Sequence, residues 1–465
     1  MDTPSVLSVQ QQMSLDPLPW PKCLTIPDLR MLLRKGNSRP SPGPDLWEKC
    51  NLLLNLPFAW LNHLLVPYLR HHCILPQGQV ATQPGVQARD LTSFIAQLHT
   101  WSNRHNVPIY LLRRDQQKGF DRLEPEGFYD AVTAYGLPHE LILLDQSAQA
   151  DVPYRVKTSC GLTDVFTLSG ITKQGGPFSP LKSTLTTSMG NHWLQDVSLN
   201  HDDCVSIHTS QAHVPDDRLV IHPCMVEAMD DSLIIAHSLP TVQRSCGMME
   251  QFQLAYGWTT NWSKSLLSVL NCHDTDVPNS IPMPTVDLTR PGDSTLIRKN
   301  VAVLRDQCDF LRVRVNDTNA QYRKIRDLIL NFSLPHLHTR LPLTALWRIF
   351  SQCLASRIRP YLSFQPVSRQ HAVLLDNLLA QRVHEYFSFP FRFNSSLLML
   401  PLNSLGFDFP SFSRMNDAAA VSGLLRDLNH HVPIFRDMAR ITLTDWMCSV
   451  SHQEKPHFPN LANCR

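Results

Sequence analysis

Ala228-Met229-Asp230-Asp231-Ser232-Leu233-Ile234-Ile235-Ala236 is the stretch on which the reading of this chain turns. Met225 to Met229 and Leu233 to Ala236 are two short apolar runs joined across Asp230-Asp231-Ser232, a spacing that predicts a tight β-hairpin with acids at its tip. Two other Asp-Asp pairs occur, Asp202-Asp203 and Asp216-Asp217, but both sit in polar, loop-like surroundings where a solvated turn accounts for them. Only Asp230-Asp231 is flanked by apolar strands on both sides, a context in which an acid pair is costly and therefore purposeful.

Upstream, Val107-Pro108-Ile109-Tyr110-Leu111-Leu112 is β-branched, aromatic and apolar, and it runs straight into Arg113-Arg114-Asp115. This predicts a second strand that delivers Asp115 at its end. Three carboxylates, Asp115, Asp230 and Asp231, can then converge. Mg²⁺ takes hard oxygen ligands and keeps room for substrate phosphates, so strand-end carboxylates suit it. Two such ions about 3.5–4 Å apart can activate a hydroxyl and stabilise a leaving pyrophosphate oxygen. Mutual repulsion of the carboxylates is relieved by the same ions.

Around these strands the pattern is mixed. Trp47 to His72 is apolar and helical, a second helix starts at Ala88 to Phe94, and Glu126 to Tyr135 is a third, closed by Gly136 and Pro138. A short strand is expected at Val165 to Leu168, a Ser/Thr-rich helix after Pro180, and a helix from Thr241 to Tyr256 stopped by Gly257. Residues 271–296 hold several prolines and no strong periodicity, which reads as a linker. Beyond them lie helical patterns over 318–331, 342–361 and 366–388, then one near 414–428.

Composition sets limits. With 42 Lys+Arg against 40 Asp+Glu the net charge is +2, which excludes a polycationic tail or histone-like chain. Charged residues at 18%, below the ~25% of average domains, point to buried cores rather than long disorder. The 12 cysteines include no CxxC pair, so zinc ribbons and a regular disulfide framework are not expected. His201, Cys204, His208, His213, His222 and Cys224 form a loose set without ligand spacing. Ser179 and Lys182 fit an SxxK pattern, but the partner motifs of serine acyl enzymes are missing. The N-terminus carries no secretory signal, and Leu52 to Leu69, with its prolines and asparagines, reads as a buried segment rather than a membrane span. An intracellular protein, nuclear or cytoplasmic, is the expectation.

Four segments in order, DQQKGFDRL (Asp115 to Leu123), GITKQGGPFSPL (Gly170 to Leu181), AMDDSLIIA (Ala228 to Ala236) and YGWTTNWSKS (Tyr256 to Ser265), resemble the palm motifs of a non-LTR, LINE-type retrotransposon reverse transcriptase of fungal type. SPGPD (Ser41 to Asp45) and QVATQPGVQARD (Gln79 to Asp90) are similar to that family's fingers motifs. DFLRVRV (Asp309 to Val315) resembles its primer-grip strand, and LGFDFPSFSRMNDA (Leu405 to Ala418) the segment after its thumb. The resemblance implies an α+β fold, a right-hand polymerase core of fingers, palm and thumb with an antiparallel palm sheet, a helical thumb and a helical C-terminal extension. It divides the chain into a loosely ordered leader (1–35), partial fingers (36–105), palm (106–270), linker (271–296), primer grip and thumb (297–400) and extension (401–465).

The same resemblance assigns roles. Asp115, Asp230 and Asp231 match the catalytic, metal-binding carboxylates, and two Mg²⁺ ions, with Mn²⁺ as substitute, are the implied cofactors. Phe120 falls where an aromatic ring excludes a ribose 2′-hydroxyl, and Gln174 and Gly175 match the loop on template and incoming nucleotide. Lys264 matches a lysine that protonates the leaving pyrophosphate, while Lys118 and Asp121 occupy positions of more structural role. The implied partners are an RNA template, a DNA primer and deoxynucleoside triphosphates, with no membrane. The chain departs from the pattern at Ala228, where the family has an aromatic, at Gly176, and in the short interval between Asp45 and Gln79, where a basic fingers strand is missing. No endonuclease segment is visible before residue 40 or after 430, which fits a fragment of a longer element. RNA-directed DNA polymerase and catalytically dead nucleic-acid-binding remnant both stay open. From Arg298 to Arg326 there are eight basic residues and three acidic ones, a local excess suited to a phosphate backbone.

Overall fold

Strand-forming segments meet in one six-stranded sheet: β1 (Ile109–Asp115), β2 (Met225–Ala228), β3 (Asp231–Ala236), β4 (Leu266–Leu270), β5 (Ser280–Val286) and β6 (Leu296–Arg305), in the spatial order β5-β6-β4-β1-β3-β2. This computed structural model describes residues 48–451 apart from 118, 150–152, 156, 160, 168–177, 202–203, 210–218, 230, 272–276, 288–294, 312, 335–340, 389–393 and 395. All neighbours pair antiparallel except β4 and β6, which are parallel, so the sheet is mixed and not the antiparallel sheet expected. The cause is β5, which reverses the chain before β6 and lets β6 enter beside β4 in the same direction.

The expectation of a linker over 271–296 is corrected by the same strand. Ile281, Met283, Thr285 and Val286 are buried, while Pro282 and Pro284 alternate with them opposite Asn300 and Arg298. Proline removes a ladder donor, which an edge strand tolerates where that position faces away from its neighbour. Here β5 is the edge, and its period of two is masked only by the prolines.

Both faces of the sheet are covered. On one face Leu112, Ile234, Leu267 and Val269 join a core with α1 (Glu48–His71), α3 (Pro125–Ala134), α5 (Ser179–Asn200) and α6 (Leu239–Ala255). In α1, Leu61, Leu65 and Leu69 recur at helical spacing and are buried, as the sequence suggests. On the other face Ile109, Leu111, Leu233 and Ile235 pack with α2 (Ala88–His105), whose Leu91, Phe94, Ile95, Leu98 and Trp101 form its buried stripe. Between α3 and α5 lies α4 (Glu140–Gln149). Helix α5 is buried nearly all round despite its hydroxyls, because Thr184, Thr186 and Ser188 donate to carbonyls four residues back. Among the described residues no helix is long and apolar enough to cross a membrane.

A hairpin of β7 (Cys308–Phe310) and β8 (Val313–Val315) follows, a paired element where a single strand was expected, with Leu311 left-handed at its turn. Helices α7 (Thr318–Leu330), α8 (Leu343–Ile349), α9 (Ala355–Phe364), α10 (Arg369–Phe387) and α11 (Phe412–Leu428) then enclose a third core of Ile325, Leu346, Phe350, Ile358, Leu375, Leu379 and Phe412. A π-helical turn, Phe350–Leu354, joins α8 to α9. Their ends are satisfied by side chains. Arg382 donates to the carbonyls of Ile329, Leu330 and Phe332, at 3.3, 2.6 and 2.7 Å, closing α7. Asp376 accepts from the Phe412 amide at 2.5 Å and the Ser411 hydroxyl at 3.0 Å, fixing the start of α11.

The last helices return to the first ones. Asp90, at the start of α2, is paired with Arg426 of α11 through two contacts of 2.6 Å, and His430 lies 3.2 Å from the same carboxylate. Asp427 holds Arg89 at 2.9 Å and the Ser93 hydroxyl at 2.6 Å. Helix α12 (Pro433–Ser451) continues the seam, with Phe435 edge-on to Phe94 and Asp445 2.7 Å from His105.

Behind the acid-bearing hairpin a different carboxylate is wholly enclosed. Glu227 is fully buried, and Gln79 and Asn191 donate to its Oε2 at 2.8 and 2.9 Å. The Glu227 amide and carbonyl also bond Gly78 and Val80, which close the outer edge of β2. A Cβ on Gly78 would overlap the Met225 carbonyl oxygen, so this close approach demands glycine.

Two pH-linked predictions of opposite sign follow. Burial opposes ionisation of Asp90, but the hydrogen bonds from Arg426, His430 and the Gln87 amide outweigh it and hold the carboxyl well below its usual range. Its stabilising contribution is therefore present above the unfolded value of 3.8 and is lost as pH falls further. Asp90→Asn is expected to cost about 3–5 kcal/mol at pH 7 in urea unfolding. Glu227 behaves in reverse: burial pushes it up to about 7, only partly offset by hydrogen bonds from Asn191, Thr187 and Gln79 and by the Arg114 charge. The folded chain keeps a proton that the unfolded chain loses above 4.5, so stability falls as pH rises through that window. Glu227→Gln is expected to match the parent near pH 4.5 and to exceed it by about 2–3 kcal/mol at pH 8.

Candidate functional site

Register places the site. Strand β1 pairs with β3 from Tyr110 opposite Ala236 to Asp115 opposite Asp231, so the two carboxylates are direct cross-strand partners at the end of the central strand. They share the face that carries Leu111 and Ile235 further along. Like charges directly opposed are unfavourable in an antiparallel pair, so the pairing needs a positive group beside it. One is present: the Lys264 ammonium lies 3.7 Å from Asp115 Oδ2. Asp115 is part-exposed and Lys264 is 66% exposed, so the pair contributes little to stability and its charges stay accessible to a ligand.

The hairpin is tighter than the sequence suggests. Strand β2 ends at Ala228, β3 begins at Asp231, and those two residues are paired. Met229 takes φ +61°, the left-handed conformation that two-residue hairpin turns require. Asp231 is thus a strand residue rather than part of the hairpin tip. Asp230 itself lies outside the described residues, as do Lys118, Gln174 and Gly175.

The loop bearing Lys264 is bound to β1 by its backbone. The Asn261 amide donates to the Asp115 carbonyl at 2.8 Å, Gln117 donates to the Thr259 carbonyl at 2.8 Å, and Gln116 and Thr260 form an antiparallel bridge. Arg113 reaches from the same face to the carbonyls of Lys264 (2.7 Å) and Asp309 (2.8 Å), which brings the β7–β8 hairpin alongside. The segment after Asp115 forms one helical turn, Gly119–Arg122, held by Trp258, whose indole donates to the Gly119 carbonyl at 2.7 Å. The backbones of Phe120 and Asp121 lie in that turn, while their side chains lie outside what is described.

Sequence reading passed over the support behind this edge. Arg114 is almost wholly buried, paired with Glu250, and it donates to Gln253 Oε1 at 2.5 Å and the Thr260 hydroxyl at 3.0 Å. Thr285 of β5 donates to the other Glu250 oxygen at 2.6 Å and accepts from Trp262 at 3.0 Å. The network ties β1, α6, β5 and the Lys264 loop together directly behind Asp115. The available signal was an arginine at an inward strand position, since such a charge demands a partner.

Asp115 and Asp231 offer hard carboxylate oxygens at a solvent-reaching strand end, a donor set that fits Mg²⁺. Among the described residues no group of three or more His, Cys, Asp or Glu is placed to hold a metal. Ala228, where an aromatic was expected, is half-buried beside Asp231.

No family model and no curated protein matches the chain. Among solved structures it is similar to the telomerase of Candida tropicalis in complex with a fragment of telomeric RNA, at 13% identity and TM-score 0.41 over 90% of this chain and 61% of that one. The corresponding telomerase of Candida albicans matches at 12% identity and TM-score 0.38, over 87% and 57%. The RNA-dependent RNA polymerase of a human picobirnavirus matches at 10% identity and TM-score 0.36, over 86% and 60%, so this chain spans less than two thirds of each.

Proposed function

We propose that this chain is a nucleic-acid polymerase core, and specifically one that carries out RNA-templated DNA synthesis from a primer 3′-end, of the retrotransposon type its motif order resembles. The observation that supports this most is the cross-strand opposition of Asp115 and Asp231 with the Lys264 ammonium 3.7 Å from Asp115. A divalent cation bound there supplies the positive charge that activates a hydroxyl and offsets the charge of the phosphates. Asp115 and Asp231 would hold that ion, with Asp230 as the third carboxylate that the motif supplies. Lys264 carries donors that can pass a proton to the leaving pyrophosphate oxygen. Arg113 holds the Lys264 loop against β1 through its backbone carbonyl, so the ammonium stays at the carboxylates without its own side chain being buried.

The helices after the sheet favour nucleic acid independently of this chemistry. Between Thr318 and Phe364 the described residues expose six basic side chains, Arg323, Lys324, Arg326, Arg348, Arg357 and Arg359, against one acid, Asp327. Lys324 lies over the Tyr361 ring at 4.7 Å, which brings the basic residues of α7 and α9 together. That surface supports the second reading, a binding remnant without catalysis, since none of it depends on the carboxylates.

Primer extension on an RNA template with Mg²⁺ tests the first reading. Extension by the parent chain is expected, with Asp115→Asn and Asp231→Asn at background and Lys264→Ala slower by about 10²-fold, the usual range for loss of a general acid. Binding without extension by the parent selects the second reading, and absence of both removes the proposal. For binding, the logarithm of the affinity for an RNA–DNA hybrid is expected to fall with slope about four against the logarithm of salt concentration. The double variant Arg323→Ala, Arg357→Ala is expected to lower that slope by between one and two.

A further inference from the structure

Cys204 follows α5, and Cys224 immediately precedes β2, with 20 positions of sequence separating them. The fold nevertheless brings their sulfur atoms to 2.9 Å. The approach is enforced from both sides. Ile207–His208 pairs with Val220–Ile221, drawing the two arms of the segment together just inside the cysteines. Val205 and Ile207 are anchored in the core under the sheet, and the Cys224 carbonyl accepts the Ile235 amide at 2.8 Å, so Cys224 belongs to the ladder of the acid-bearing hairpin. The two thiols differ in access: Cys204 is part-exposed, whereas Cys224 is buried and lines a cavity of about 250 Å³ with His222, Asn191 and Asp437.

We propose that Cys204 and Cys224 are a redox pair, oxidised by a low-molecular-weight disulfide of the glutathione class to an internal disulfide that staples the segment after α5 to the strand carrying the acid pair. In the first step the Cys204 thiolate attacks one sulfur of glutathione disulfide, forming a mixed disulfide and releasing one glutathione thiolate. In the second, the Cys224 thiolate attacks the Cys204 sulfur and releases the other glutathione. Two thiols lose two protons and two electrons, and one glutathione disulfide becomes two glutathiones. Exposure assigns the order, because the attacking sulfur must meet the oxidant in solvent and the resolving sulfur need only meet its neighbour. The roles are independent of the polymerase reading, since neither residue belongs to the carboxylate edge.

Full-length chain is incubated with glutathione disulfide, its remaining thiols are alkylated, and peptides are mapped by mass spectrometry before and after dithiothreitol. The expected product is one cross-linked peptide pair containing Cys204 and Cys224, lacking two hydrogens and released by reductant. In Cys224→Ser the expected product is a glutathione adduct on Cys204, and in Cys204→Ser an alkylated, unoxidised Cys224. The exposed Cys73 and Cys353 serve as internal references for oxidant strength. If these references carry glutathione while Cys204 and Cys224 of the parent chain are both recovered alkylated, the pair is not a redox pair. An adduct on Cys224 in Cys204→Ser overturns the assigned order. The parent result stands even if a variant fails to fold.

Discussion

The register of β1 against β3 is the constraint on which the rest of the molecule depends. β1 is hydrogen-bonded along both edges and packed on both faces, so each of its residues has a fixed neighbour in the sheet. Leu112 opposite Ile234 belongs to one core, and Leu111 opposite Ile235 to the other. A slip of one residue would exchange these faces and put Asp115 and Arg113 where the apolar helices pack, while Arg114 would lose Glu250. Hydrophobic burial on two sides therefore acts as the positioning device for the acidic edge. That edge needs no rigidity of its own.

Charge is distributed to match. Among the described residues several buried ionic groups are paired, as in Arg114 with Glu250, Lys182 with Asp145, and Asp90 with Arg426. Each pair joins different elements, and losing one member would strand the other in a low-dielectric interior. Asp115 and Lys264 form the contrasting case, a loose pair at a part-exposed edge whose energy is small and whose charges remain within reach of solvent. The molecule thus keeps its strong electrostatics behind the sheet and its exchangeable electrostatics at the rim.

Much of this was legible in local sequence. The apolar run into Asp115, the paired runs about Asp230-Asp231, the helical stripes of α1 and α2 and the stop at Gly257 all announce themselves through period and punctuation, and Gly257 does take φ +81°. Strand β5 did not, because its two prolines mimic a linker and only its edge position makes them tolerable. The parallel pairing of β4 with β6 depends on that hidden strand and was hidden with it. The hairpin tip was expected to hold both aspartates, whereas Asp231 pairs with Ala228 and belongs to the strand. Arg426 and Asp90 have no local signature, since each looks like an ordinary surface charge until the helices meet.

That last meeting has a consequence for the order in which the protein can be made. The buried stripe of α2, with Phe94 at its centre, is covered in part by Phe435, and its first turn is neutralised by Arg426, residues synthesised more than 300 positions later. Until those residues leave the ribosome, α2 presents its apolar side and an unpaired Asp90 to solvent. Contacts of such span are slow to form and leave sticky surface exposed meanwhile. The nascent chain should therefore depend on chaperone shielding throughout most of its synthesis, and premature termination anywhere before α11 would release a product with that surface permanently open.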